Sequence, residues 1–207
     1  MVFLMLYPNQ ISGDIPVTIM NPKLTKEWKT CGKVYAEDWI LPRLEIFKGC
    51  LKHLSDKNVL EIGSNAGVFA YEIAKVANTY IGIEKEEAFY RQAMITAKHM
   101  KSDNHRFING DIFSETLNSD INAFVGLFVL YHLSDLEVDA LRLHILPLCE
   151  VVVIQLRLEK RKTKKNSYGF ERPENTIRFL KDLGFKIKKC SVQPVKEQFV
   201  TIVAKAA

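Results

Sequence analysis

Residues 58–75 read "NVLEIGSNAGVFAYEIAK", and the rest of the chain is read from them. A short apolar run carrying Glu61 near its end gives way to Gly63. Ser64, Asn65 and Ala66 follow, then Gly67, and a helical pattern begins at once. "NVLEI" fits a short buried strand and "GVFAYEIAKVA" a helix, so both glycines fall in the turn between them. Gly63 can adopt backbone angles barred to other residues, and Gly67 has no side chain to keep a ligand or the helix away. The helix start offers free N–H groups and a partial positive charge.

The same alternation continues outward. "TYIGI", "HRFIN", "AFVGLFVL" and "EVVVIQL" read as strands, and "EEAFYRQAMITAKHM" and "SDLEVDALRLHIL" as helices. Ser134 and Glu137 form a capping-box pair at the start of the latter. Pro173 opens a further helix, "PENTIRFLKDLG", which Gly184 stops. "FKIKKCSV" and "QFVTIVA" then predict an antiparallel hairpin turning at Gln193, Pro194 and Val195. The fold class expected is α/β, a doubly wound and mostly parallel sheet with helices on both faces and a C-terminal antiparallel hairpin. Upstream, Ile40, Leu44, Phe47, Leu51 and Leu54 share one helix face, interrupted near its start by Pro42. Residues 1–57 are thus expected to form an irregular arm with a helical cap or lid, and residues 58–207 the core.

At 207 residues, 47% hydrophobic and 26% charged, the chain suits one domain with a sizeable core. No apolar run approaches the roughly 18 residues of a membrane span. The opening "MVFLMLY" lacks a basic leader, and a cytoplasmic protein is expected. Cys31, Cys50, Cys149 and Cys190 are scattered without a C-x-x-C pair, so buried reduced thiols are expected rather than a metal site. The net charge of +5 is uneven: residues 157–207 hold 14 Lys or Arg against 5 acids. Such a basic quarter suits nucleic acid, an anionic surface, an acidic substrate or plain solvation.

In open parallel sheets, ligands sit beyond the carboxyl ends of the strands. Glu84 ends the second strand, where an acid can accept both hydroxyls of a ribose, or serve as a helix-start acid. Asp111 follows the third strand, placed to hold an adenine amino group with Ile112 or Phe113 against the ring, or to serve as a turn residue after Gly110. The glycine turn, Glu84 and Asp111 fall just beyond successive strands, on one rim of the sheet. A dinucleotide fingerprint, G-x-G-x-x-G, would need glycine where Gly63, Asn65 and Val68 stand, and only the first fits.

With "EIGSNAG", Glu84 and Asp111 in place, the chain resembles the class I S-adenosylmethionine-dependent methyltransferases over residues 58–207. The resemblance implies a seven-stranded sheet with its last strand antiparallel. It implies S-adenosylmethionine as cofactor, with Glu61, Gly63, Ser64, Asn65 and Gly67 around its methionine part, Glu84 at the ribose, and Asp111, Ile112 and Phe113 at the adenine. The segment "FVLYHL" (128–133), with Leu130, would lie beneath the methyl-donor centre. The sequence departs from the family where Ala123 and Gly126 stand in place of a common acid, and where Asn65 replaces a glycine.

His132 is the candidate general base beside this segment, with Tyr131 lining the acceptor pocket. Tyr35, Trp39 and Arg43 on the N-terminal element are candidate substrate contacts, Arg43 for an anionic acceptor. No Asn-Pro-Pro-aromatic segment supports methylation of an adenine amino group, and no Pro-Cys pair marks covalent attack on cytosine. Six of the nine residues 157–165 are basic, and this loop leaves a strand tip beside the site. A small-molecule or glycan-type acceptor is the first expectation. RNA bound through that loop is its rival, and a catalytically inactive methyltransferase-like binding protein is the third reading.

Overall fold

The computed structural model describes residues 37–100, 102–113, 120–157, 166–170, 172–193 and 199–207. In chain order the main elements are α1 (Glu37–Lys48), β1 (Asn58–Ile62), α2 (Val68–Ile73), β2 (Thr79–Glu84), α3 (Glu87–His99), β3 (His105–Asn109), β4 (Ala123–Leu127), α4 (Asp135–Ala140), β5 (Val151–Arg157), α5 (Pro173–Asp182), β6 (Phe185–Gln193) and β7 (Phe199–Ala206). The sheet order is β3-β2-β1-β4-β5-β7-β6. Strands β1 to β5 pair in parallel, and β7 runs antiparallel between β5 and β6. This is the doubly wound sheet with a closing hairpin that the alternation predicts. Among the described residues no helix is long and apolar enough to cross a membrane.

Two apolar layers cover the sheet, because successive strand residues face opposite sides. Val59, Val125, Val151 and Val153 join Leu44 and Phe47 of α1, Phe69 and Ile73 of α2 and Ala93 of α3 in one layer. Leu60, Phe124, Val152 and Ile154 join Val138 of α4 and Leu180 of α5 in the other. Leu44 and Phe47 are fully buried, and the Phe47 ring meets Phe69 edge-on at 5.2 Å. Hence α1 packs into the same core as β1.

Several boundaries differ from the periodicity. The N-terminal helix runs through Pro42 and ends at Lys48, where Gly49 and a 3-10 turn at Leu51–His53 take over. Burial of Leu44 and Phe47 outweighs the one hydrogen bond that proline removes. β4 stops at Leu127 because Phe128 adopts a left-handed backbone, φ 61°. The helix expected over 134–146 keeps its capping box at Ser134 and Glu137 but passes into a π-turn at Leu141–Ile145. Cys50 and Cys149 are buried free thiols as expected; Cys190 is exposed, because it lies on the edge strand β6. Cys31 and the hairpin turn at Pro194 and Val195 lie outside the described residues.

One buried polar group belongs to the core. Glu61 shares the strand face of Val59 and therefore points toward α1 and α2. There its Oε2 accepts the Tyr80 hydroxyl at 2.6 Å. Burial pushes the Glu61 carboxyl up to about 8, against the pull of that hydrogen bond and of the Arg43 charge. Tyr80 reaches Glu61 by lying across Gly82: a Cβ there would stand 2.6 Å from the tyrosine oxygen and 2.8 Å from Ser64 Cβ. Gly82→Ala is therefore expected to lower stability by about 1–3 kcal/mol in urea unfolding; an unchanged midpoint would mean that the tyrosine moves freely.

A second prediction concerns pH. Folded Glu61 keeps its proton where the unfolded chain, near 4.5, has lost it. Its contribution is thus full below that value and is lost as pH rises through about 8. In Glu61→Gln the decline in stability between these two limits should shrink. A slope matching the parent protein would assign the dependence to other groups.

Candidate functional site

The carboxyl ends of the strands are stitched together by backbone hydrogen bonds, which sets the spacing of everything on that rim. The Gly63 and Ser64 N–H groups donate to the Ile83 carbonyl at 2.8 and 3.1 Å. The Gly110 N–H and the Asn109 side-chain amide donate to the Glu84 carbonyl at 3.1 and 2.9 Å. The Phe128 N–H donates to the Gln155 carbonyl at 2.8 Å. The exits of β1, β2 and β3 thus form one platform, and those of β4 and β5 a second beside it.

Glu84 organises the first platform. Its Oε2 accepts the Asn65 N–H and its Oε1 the Glu86 N–H, both at 2.8 Å. Burial raises the pKa of this carboxyl, and the two N–H groups oppose the rise. Gly63, Asn65 and Gly67 all have left-handed angles, φ 70°, 54° and 76°. The glycine turn is thus a tightly wound loop whose middle residue is held by the β2 acid. The Thr96 hydroxyl of α3 also donates to the Ala66 carbonyl at 2.6 Å.

A cleft of about 530 Å³ opens over these tips, within the usual range for small-ligand sites. It brings together Gly63, Asn65, Glu84, Asp111, Ile112, Tyr131 and His132 from the residues singled out in the sequence. Asp111 Oδ1 accepts the Phe113 N–H at 2.9 Å and holds the turn after β3. Phe113 itself is 58% exposed and does not line the cleft. Leu130 is buried in the α4 layer instead. Gly67 faces Phe107 and Ala93, so its missing side chain serves helix packing.

Glu61, Ser64 and Arg43 line a second, much smaller void of about 20 Å³ beneath the turn, room for a single water. It shares Gly63, Asn65 and Leu127 with the cleft. Arg43 is nearly buried, with its guanidinium 3.8 Å from the centroid of the Phe128 ring and 5.2 Å from that of Phe69. Tyr35 and the Trp39 side chain lie outside the described residues.

The second wall of the cleft follows β4. The left-handed Phe128 reverses the chain and brings Val129 against Gly63, where a Cβ would meet the Val129 methyl at 3.0 Å. The 3-10 turn at Leu130–His132 then places Tyr131 and His132 on the cleft, their ring centroids 4.5 Å apart. Buried Asn166 clamps this turn by donating to the Leu130 and Leu133 carbonyls at 2.9 and 3.0 Å. The next residues clip onto α4: the Ser167 N–H donates to Asp135 at 2.6 Å and the Tyr168 hydroxyl to Asp139 at 2.6 Å. Phe170 is buried beside Tyr168. Both rings therefore pack the fold.

Sequence reasoning missed Phe89, Lys85, Glu86 and Glu137, which face the cleft; Phe128 and Val129 of the expected "FVLYHL" segment and Arg157 at the start of the basic loop face it as well. Glu137 lies 3.8 Å from Lys85, an ion pair joining α4 to the β2 exit. Arg157 is the last residue of β5, so the strand-end rule that selects Glu84 and Asp111 also selects it. The remaining basic loop residues, 158–165, lie outside the described residues.

No family model and no curated protein matches the sequence. Solved structures do match its fold. Magnesium protoporphyrin IX methyltransferase from Synechocystis PCC 6803, with S-adenosylmethionine bound, superposes with a TM-score of 0.64 at 15% identity, over 92% of this chain and 96% of that one. A S-adenosylmethionine-dependent methyltransferase from Aquifex aeolicus gives 0.60 at 14% identity, over 79% and 89%. A protein of the NAD-binding Rossmann superfamily from Streptococcus agalactiae gives 0.58 at 14%, over 84% and 70%. Taken with strand order β3-β2-β1-β4-β5-β7-β6, these likenesses identify the architecture of this chain as the class I S-adenosylmethionine-dependent methyltransferase fold.

Proposed function

We propose that this protein transfers a methyl group from S-adenosylmethionine to a small-molecule or glycan-type acceptor. The observation that carries the reading is the single cleft whose walls meet at Gly63: Glu84, Asp111 and Ile112 on one side, Tyr131, His132 and Arg157 on the other. The first wall fits an adenosyl group. The Glu84 oxygens accept the Asn65 and Glu86 N–H groups, and a carboxylate's remaining lone-pair capacity would serve a ribose hydroxyl. Asp111 and Ile112 fit the adenine, and Gly63 and Asn65 the methionine part.

When bound, the cofactor supplies an electrophilic methyl on a sulfonium. The protein's share is placement, which contributes up to about 7–11 kcal/mol for a well-oriented pair. Tyr131 and Val129 wall the acceptor side and exclude water. His132 takes the acceptor's proton at an imidazole nitrogen when the acceptor arrives protonated. Arg157 meets an anionic part of the acceptor. A second reading, RNA as the carrier of the acceptor group, is favoured by the position of Arg157, since the basic run begins at the cleft.

Calorimetry with S-adenosylmethionine, its demethylated product and NAD tests the cofactor. The first two should bind and NAD should not; NAD alone binding rejects the reading, and no binding favours an inactive scaffold. Glu84→Ala and Asp111→Ala should each weaken cofactor binding at least several-fold, and unchanged affinity in both would remove the assigned pocket. His132→Ala should slow turnover of a methylated acceptor with cofactor affinity retained; an unaltered rate would leave it a lining residue only.

A further inference from the structure

The basic charge of the C-terminal quarter is not exhausted by Arg157 and its loop. β6 is an edge strand, and Lys186, Lys188 and Lys189 on it are exposed. The pairing skips a residue between Ile187 and Lys189, so Lys188 sits in a bulge. Lys186 stands opposite Lys205 of β7 in the pairing register. The Lys189 ammonium lies just past α1, 3.7 Å from where a Gly49 Cβ would stand. Exposed Lys52 follows in the next turn.

The charged groups acting on half-buried His53 are Lys205, Lys52 and Lys189, which reinforce burial in lowering its pKa. Two of the same lysines, Lys189 and Lys52, act on the Cys50 thiol. Among the described residues Glu45 pairs with Lys48 at 2.8 Å and Glu150 with Lys57 at 2.6 Å. Lysines on β6 alone would serve to blunt a sheet edge against pairing with other chains. Edge protection does not call for Lys52 and Lys205, which come from other elements and converge on the same place. Gathering like charges destabilises a fold, and a polyanion whose phosphates these lysines neutralise, releasing its own condensed counterions, reverses this.

We propose that this lysine cluster is a docking surface for the phosphate backbone of structured RNA, an inference that rests on the second acceptor reading above. Position sets the size of the partner. Lys205 pairs with Val151 at the start of β5, and Arg157 at its far end lines the cleft. Seven strand residues span about 20 Å. One molecule that touches both must therefore reach across about 20 Å, several base pairs of an A-form stem. A free nucleotide or a single phosphate is too short.

The test is fluorescence anisotropy of a labelled RNA hairpin with a stem of about 12 base pairs, titrated from low to moderate salt. The parent protein should bind with affinity that falls steeply with salt. Lys186→Gln, Lys189→Gln and Lys205→Gln combined should weaken binding at least about tenfold and lower the log–log salt slope by about 2–3. A version with Lys205→Gln alone guards against loss of folding, and should give a smaller change in the same direction. Unchanged affinity and slope in the triple variant, or no hairpin binding at low salt, overturns the proposal and leaves the lysines as edge protection. Calorimetry with S-adenosylmethionine on the same samples keeps the two readings apart. Cofactor binding without RNA binding sinks only the docking surface; RNA binding that depends on the lysines, without cofactor binding, sinks only the methyltransferase reading.

Discussion

The site depends on one carboxylate. Glu84 closes β2 and divides its two oxygens between the Asn65 and Glu86 N–H groups, so the glycine turn after β1 and the start of α3 are held to the same point. Asn65 sits at φ 54°, an angle that a residue other than glycine takes up at some energetic cost. The acceptor offered by Glu84 offsets that cost and gives the turn its shape. An amide in place of the acid would present one acceptor oxygen where two N–H groups wait. Burial opposes ionisation of this carboxyl, so both N–H groups are also what keeps it suited to accepting hydrogen bonds. The cleft floor is thus a consequence of local electrostatics at a strand end.

The opposite wall depends on a strained residue. Phe128 is bulky and left-handed, a combination that persists only where surroundings over-determine it, at about 1–3 kcal/mol. Here its N–H is fixed on Gln155, its ring lies under the Arg43 guanidinium, and Phe199 meets it edge-on at 5.7 Å. The result is a sharp turn that brings Val129 to Gly63 and Tyr131 with His132 to the cleft. α1 therefore reaches the Tyr131 wall of the cleft through Arg43 and Phe128, and its fit against the sheet sets the geometry of a wall it does not itself form. The water-sized void between Arg43 and Glu61 lies on that line of contact.

The alternation of strands and helices was legible because its signals are local: period-two apolar runs, glycine after β1, the Ser134–Glu137 cap and Gly184 after α5. The rim acids Glu84 and Asp111 were legible for a related reason, since the end of a parallel strand faces the ligand side whatever lies between. What periodicity does not reveal is which face an interior residue takes. Glu61 stands beside the glycine turn in sequence, yet it shares the face of Val59 and meets Tyr80 in the buried layer beneath the turn rather than in the open cleft. The left-handed turn at Phe128 was hidden as well, because "FVL" reads as continued strand and the strain arises from tertiary contacts. Arg157 was counted as part of a charge run when its place as the last residue of β5 was the more informative fact.

The distribution of charge along the sheet bears on which ligand the cleft suits. Glu84, Glu86, Asp111 and Glu137 line it, against Lys85 and Arg157. A dinucleotide would set two phosphates over a glycine turn whose nearest ionisable group is the Glu84 carboxylate, held there by the Asn65 N–H that a phosphate would otherwise use. The missing glycines of the G-x-G-x-x-G pattern would also keep backbone from closing around a pyrophosphate. A ligand without phosphate and with a positive sulfonium meets the opposite situation, an acid-rich wall in a partly enclosed space where charge is weakly screened. Lys85 is turned toward Glu137, 3.8 Å away, and Arg157 lines the cleft at the β5 end. Among the described residues the cleft is thus acidic over β2 and β3, with Arg157 at the β5 end. That division follows from which side chains end each parallel strand, so the order of the sheet sets the order of charge along the cleft.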